Sequence, residues 1–176
     1  VTATGTIEAV TSVTVGTQVS GIVNKLYVDY NSQVKKGEVI AELDKTNLMS
    51  ELNTAKANLA SAQSSLNYQS ANMSRYQTLY KKGLVSADDY ENALLTYRQA
   101  KEQVASAKEN VQKAQTNLSY ATITSPIDGT VISKSVEEGQ TVASAMTTPT
   151  LFVIAQDLTD MRVIADIEEA DRGGVK

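Results

Sequence analysis

From Leu48 onward, apolar and small residues recur with a seven-residue period. Leu48, Ala55, Ala62, Gln69 and Tyr76 form one row, and Leu52, Leu59, Leu66, Met73 and Tyr80 form the other. Alternating steps of four and three sustained over this length predict a coiled-coil seam. After a break around Gly83 a second seam begins, with Tyr90, Tyr97, Val104, Val111 and Leu118 on one row and Ala93, Ala100, Ala107, Ala114 and Ala121 on the other. Alanine at every seventh position lets a partner helix come close. Neither stretch holds a proline or an interior glycine, so each is predicted to be one continuous helix; about 35 residues at 1.5 Å per residue span roughly 50 Å. The region from about Thr46 to Ala121 therefore predicts a long antiparallel helical hairpin.

The flanks switch to a period of two. Val1, Ala3, Gly5, Ile7 and Ala9 alternate loosely as a half-buried strand. Short strands follow around Val13 and Val15 and around Val19, Ile22 and Val23. Leu26 and Val28 lead to a polar turn at 29–33, then come Val34, the turn Lys35-Lys36-Gly37 and a strand from Val39 to Leu43. When the segment after the hairpin is laid over this one at an offset of 108 residues, Val19, Gly21, Val23, Val28, Asn31 and Val34 fall on Ile127, Gly129, Val131, Val136, Gly139 and Val142. Asn31 matched to Gly139 is chemically sensible, because both residues tolerate the left-handed backbone of a tight turn. The second copy then runs on through a loop at 143–149 to a strand from Leu151 to Ala155. Two similar β halves flanking an inserted hairpin imply one β-sandwich, with the halves meeting at the hairpin's base. Tyr120 to Ile123 returns the chain to this unit, and Pro126 ends its helix potential.

Composition narrows the function more than the fold. The 176 residues are 41% hydrophobic and 20% charged, which suits a folded protein. A two-helix rod has almost no interior, so burial must be concentrated along the seam and in the β unit. The formal net charge is −4 with acids and bases interspersed, which leaves no basic stripe for phosphates and argues against nucleic acid as a partner. With no Cys and no His, Cys/His metal sites, Ser-His-Asp or Cys-His nucleophiles and thiol redox chemistry are excluded. The pair Glu137-Glu138 falls in a predicted turn, a poor place for acid–base catalysis, so no enzyme is expected. The longest apolar run, Leu151 to Ala155, is too short to cross a bilayer.

The stretches Val15-Gly16-Thr17-Gln18-Val19-Ser20-Gly21, Val34-Lys35-Lys36-Gly37 and Leu43-Asp44 are answered by Ser125-Pro126-Ile127-Asp128-Gly129-Thr130-Val131 and Glu138-Gly139-Gln140-Thr141-Val142. Together they resemble the split biotinyl-lipoyl domain of periplasmic adaptor proteins, also called membrane fusion proteins, and within that group the MacA type. The resemblance covers essentially the whole chain. It implies an α+β fold: a split biotinyl-lipoyl-like β-sandwich with a long inserted antiparallel α-helical hairpin, plus strands of an incomplete β-barrel. The implied division is a barrel strand at 1–10, sandwich halves at 11–44 and 122–157, the hairpin at 45–121, and the start of the barrel at 158–176, where Met161, Val163, Ala165 and Ile167 alternate. Two strands cannot close a barrel. The chain, which starts at Val1, is accordingly expected to be a piece lacking most of the barrel, the membrane-proximal domain and the inner-membrane anchor.

The resemblance also implies partners and sites. Expected partners are a TolC-like outer-membrane channel, an inner-membrane transporter of the ABC class or alternatively of the RND class, and further copies of the chain in a ring, a hexamer by analogy. In lipoyl and biotinyl carriers, a lysine at the apex between the halves holds the cofactor. Lys45 is the nearest candidate here, but a helix follows it directly, so no cofactor is expected and Asp44 or Thr46 is read as the helix start. Adaptors dock through an Arg, a Leu four residues on and a Ser seven further, a spacing that Arg75, Leu79 and Ser86 match. Each also has an ordinary reading: Gly83 as helix terminator, Ser86 as N-cap, Asp88 and Asp89 at the positive end of the second helix, Arg75 as a solvated charge. Leu79 lies off the seam on the face of Arg75 and is expected to be exposed. A loop carrying Ala145, Met146 and Thr147 corresponds to the family's channel-lining loop. MacA-type relatives carry glutamine there, so a hydrogen-bonded gate is not expected.

Overall fold

The computed structural model describes residues 11–144 and 149–157. They fall into two compact units: a β unit made of the described residues up to Asp44 and from Tyr120 on, and a helical unit, Lys45–Ser119. The expected strands at 1–9 and 161–167 and the loop at 145–147 lie outside the described residues.

The β unit contains β1 (Ser12–Gly16), β2 (Gly21–Leu26), β3 (Gln33–Val34) and β4 (Val39–Leu43), then β5 (Thr122–Thr124), β6 (Gly129–Lys134), β7 (Thr141–Val142) and β8 (Thr150–Gln156). They form two antiparallel four-stranded sheets, ordered β1-β8-β6-β3 and β5-β4-β2-β7. The internal repeat is visible in this order. Strands β2 and β6, like β3 and β7, begin and end 108 residues apart, and the halves exchange their short strands. Val34 of β3 pairs with Gly129 of β6, while Val142 of β7 pairs with Gly21 of β2. Neither half is a complete sheet alone.

The exchange is fixed by duplicated hydrogen bonds. Asn31 (φ 74°) and Gly139 (φ 85°) both adopt the left-handed conformation that the repeat predicts. The Asn31 N–H donates to Val131 O (2.7 Å) and the Gly139 N–H to Val23 O (2.8 Å). In return, the Val131 N–H donates to Ser32 O (2.9 Å) and the Val23 N–H to Gln140 O (2.8 Å). A further matched pair precedes the region where the apolar pattern first aligns. The buried Thr17 hydroxyl donates to Val19 O at 2.6 Å, and the buried Ser125 hydroxyl donates to Ile127 O at 2.6 Å, each closing a local turn.

In the β unit Val23, Ile40, Leu43, Val131, Val136, Leu151, Phe152 and Ile154 are at most 2% exposed. The packing is tight enough that a Cβ on Gly129 would lie 2.0 Å from Ala155 O.

The helical unit consists of α1 (Thr46–Lys81) and α2 (Ala87–Tyr120). The seam rows account for its burial. Leu52 and Ala55 of α1 are buried, as are Ala93, Ala100, Val104, Ala107 and Ala114 of α2. Leu52, Ala55 and Ala114 form one apolar cluster, with Val111 and Leu118 packed against it. Helix α1 starts at Thr46, one of the two residues read for its start. Lys45 is the N-cap residue, without a side-chain cap hydrogen bond, and its carbonyl accepts the Met49 N–H at 2.8 Å. The Asp44 N–H donates to Ile22 O at 2.8 Å, and only Asp44 and Lys45 separate β4 from α1. Among the described residues no helix is long and apolar enough to cross a membrane.

Candidate functional site at the hairpin tip

The turn between α1 and α2 is built by its own backbone. Gly83, at φ +73°, ends α1. Its N–H donates to Tyr80 O (2.9 Å) and the Leu84 N–H to Leu79 O (2.9 Å), the two bonds of a Schellman motif. Ser86 opens α2 by accepting the Asp89 N–H on its hydroxyl at 3.0 Å, while its carbonyl accepts the Tyr90 N–H at 3.2 Å. Asp88 and Asp89 occupy the first turn of α2, where the helix dipole favours negative charge. Across the turn the Tyr80 and Tyr90 rings stack with centroids 5.3 Å apart and planes 18° from parallel. Three independent devices thus hold the tip in one conformation.

Of the expected docking residues, Arg75 and Leu79 lie one turn apart on α1, and Ser86 sits across the turn as a cap. Arg75 and Ser86 are exposed, but Leu79 is half-buried. Leu79, expected to be exposed, is instead half-covered, while Tyr80, placed in the seam, is 44% exposed yet stacks across the helices on Tyr90 of the second seam. The cause is the turn itself. The heptad must end where α2 turns away, and Tyr80 can satisfy one ring face on Tyr90 while its edge stays in solvent. Sequence reasoning missed Leu84, which is 68% exposed beside this turn. Its position, two residues after the helix C-cap, was the available signal.

Elsewhere the β unit concentrates polar contacts around the turns of the repeat. Lys134 Nζ lies 3.1 Å from Asp29 Oδ1 and 3.6 Å from Glu137 Oε1. The Tyr30 N–H, at 2.7 Å, and then the Lys134 ammonium hold the Asp29 carboxyl below its ordinary range. Asp29 in turn raises Lys134. The Tyr27 hydroxyl donates to Glu42 at 2.9 Å, and that carboxylate raises the phenol. Glu138 of the acidic pair accepts the Leu26 N–H at 3.0 Å. Tyr27, Asp29, Lys134, Glu137 and Glu138 border an open cavity of about 480 Å³, but each of these carboxylates already bonds a neighbour in the fold. Lys45 stands between β4 and α1 rather than at the apex of a β-hairpin, so the geometry of a carrier lysine is lacking.

Residues 11–154 match the family model described as the barrel-sandwich hybrid domain of RND MFP, that is, of membrane fusion proteins. The chain belongs to the membrane fusion protein family. Among curated members it is 34% identical to the macrolide export protein MacA of Yersinia pestis, over 97% of this chain and 50% of that protein. It is also 34% identical to the multidrug resistance protein MdtA of Proteus mirabilis, over 91% of this chain and 39% of the other. Among solved structures, MacA from Actinobacillus actinomycetemcomitans superposes with a TM-score of 0.57 at 42% identity, over 84% of this chain and 52% of that one. The chain therefore spans half or less of the length of these curated membrane fusion proteins. The family is one of adaptors rather than enzymes, and the exchanged sheets described above are its hybrid domain.

Proposed function

We propose that this chain is the central part of a periplasmic adaptor in a tripartite efflux pump, bridging an inner-membrane transporter and a TolC-like outer-membrane channel for export of drugs or other small molecules. The observation that carries this reading is the pairing, in one chain, of the hybrid domain with a rigid hairpin tip bearing Arg75, Leu79 and Ser86 at the docking spacing. A membrane fusion protein acts by holding and sealing a conduit. Leu79 would contribute apolar surface at the contact, while the Arg75 guanidinium and the Ser86 hydroxyl would set register through hydrogen bonds. Weak contacts repeated around a ring, a hexamer by family analogy, would hold a channel that one copy cannot. In the full-length adaptor the protein would be anchored to the inner membrane. The loop at Ala145, Met146 and Thr147 would line the conduit.

For the transporter we favour the ABC class, a MacB-like pump, on the strength of the MacA-type motifs. The second reading is an RND transporter, favoured by the family model's own description and by the likeness to MdtA. Co-purification of the full-length protein with one transporter class and not the other separates the two.

The test of the adaptor reading is binding of ring-tethered copies of the chain to a purified TolC-type channel, beside Leu79→Arg and Ser86→Arg variants. We expect both variants to bind at least about tenfold more weakly, equivalent to about 1.4 kcal/mol, and to fail in efflux complementation. Melting temperatures serve as the folding control, and Ser86→Ala is a poor test, because losing the cap costs about 1 kcal/mol by itself. If the arginine variants bind as the unsubstituted chain does, the tip is only a turn and its caps.

A further inference from the structure

At the tip, one large apolar side chain is used neither by the seam nor by the caps. Leu84, at 68%, is the most exposed large hydrophobic residue among those described. Its backbone is nevertheless fixed on both sides, by its own N–H to Leu79 O at 2.9 Å and by the Ser86 cap two residues later. In a Schellman turn, the residue at this position commonly closes an apolar contact with the residue that receives its N–H, here Leu79. Here Leu79 is half-buried, but most of Leu84 stays in water. A leucine whose backbone is already fixed loses only side-chain freedom on being covered, which lowers the cost of seating it in a partner groove.

The charges beside it indicate what the groove offers. Lys81 and Lys82 immediately precede Gly83, both are exposed, and neither has an ion-pair partner among the described residues. Arg75 is likewise exposed and without an ion-pair partner among them. A complementary surface is therefore an apolar groove between helices with carboxylates along its rim. Asp88 and Asp89, also exposed, lie across the turn in the first turn of α2, where the helix dipole already compensates them.

We propose that Leu84 is the apolar anchor of the tip, inserting into a carboxylate-rimmed groove of the outer-membrane channel, with Lys81 and Lys82 facing the rim and Leu79 positioning the turn beneath. This rests on the adaptor reading and assigns to Leu84 the contact that the sequence spacing alone gives to Leu79.

The experiment measures binding of ring-tethered full chain to a purified TolC-type channel for the unsubstituted protein, Leu84→Glu, Leu84→Ser and Leu84→Met, with melting temperature and untethered self-association recorded for each. Leu84→Glu and Leu84→Ser should bind at least about tenfold more weakly and Leu84→Met within about twofold, all with melting temperatures close to the parent. Binding of the parent should also weaken as salt is raised. Parent-like binding by Leu84→Glu and Leu84→Ser overturns the anchor while leaving the adaptor reading in place. Loss of self-association with channel binding intact assigns Leu84 to a second copy and overturns it as well. Failure of the parent to bind any such channel overturns the adaptor reading, and this inference with it.

Discussion

The β unit and the helical hairpin solve the problem of burial in different ways. In the β unit two sheets enclose a core in which Ile40, Val131, Phe152 and Ile154 are completely buried. In the hairpin the best-buried residue, Ala100, is 4% exposed, and most leucines along α1 are only half-covered. A sandwich has two faces to close on each other, whereas a helix pair has one seam and no third layer. Most side chains of the β unit are therefore dictated by their neighbours. Those off the hairpin's seam are not, and that freedom is what allows a tip to specialise in recognition.

Glycine gives the sharpest way to break this contrast. Gly129→Ala places a methyl group 2.0 Å from Ala155 O, against the backbone of a central strand. Strands β6 and β8 must then separate, and we expect a loss of about 3 kcal/mol or more, at or beyond the upper end of overpacking costs. Gly83→Ala at the tip meets nothing within 4 Å and suffers only from its φ of +73°, so its cost should be about 1 kcal/mol. Urea denaturation of both variants measures the difference. Equal losses would mean that packing does not distinguish the two units as described. Gly21, the repeat partner of Gly129, supplies an internal control. Its added Cβ would make only ordinary contact with Leu43 at 3.7 Å.

The same contrast governs what could be read in advance. The heptad rows were legible because a 3.5-residue period persists through both helices, and the 108-residue repeat because apolar and turn positions coincide through Asn31 and Gly139. The exchange of β3 and β7 between sheets was not legible. A strand of two residues carries no alternation, and nothing in Gln33-Val34 specifies which sheet receives it. The Thr17 and Ser125 turns escaped because the repeat was traced through apolar residues, while these positions match in their hydroxyls. At the tip, a helical period cannot report where the partner helix departs, so the exposure of Leu79 was overestimated and Leu84 was overlooked. The helix start was legible from its local signal, since Thr46, one of the two residues read for it, opens α1.

A smaller effect tests whether the tip is held by its caps. Ser86→Ala removes the oxygen that accepts the Asp89 N–H and should cost about 1 kcal/mol. Ser86→Asp preserves an acceptor there and should restore most of that loss. Hydrogen exchange at the Asp89 and Tyr90 amides gives a local reading. Faster exchange in the alanine variant, confined to the first turn of α2, is expected. Unchanged exchange would mean that the Tyr80–Tyr90 stack and the Schellman bonds suffice alone.

The smallest effect is electrostatic and belongs to the β unit. The Asp29 carboxyl is held below its ordinary range, first by the Tyr30 N–H and then by Lys134, so the folded state favours its charged form. Its contribution to stability is present above the unfolded-state value, near pH 4, and is lost as pH falls through the lower folded value. Lys134 is shifted upward by Asp29 and Glu137. Its contribution is complete below its unfolded value, about pH 10.4, and fades as pH rises through the folded one. The Asp29 side chain is 74% exposed, so solvent and salt screen the pair and the effect is modest. Comparing urea midpoints at pH 7 and pH 3, Asp29→Asn should lose less stability on acidification than the parent, and 1 M salt should narrow that difference. Equal losses in the two proteins would place the acid sensitivity elsewhere and reduce the Lys134 contacts to surface geometry.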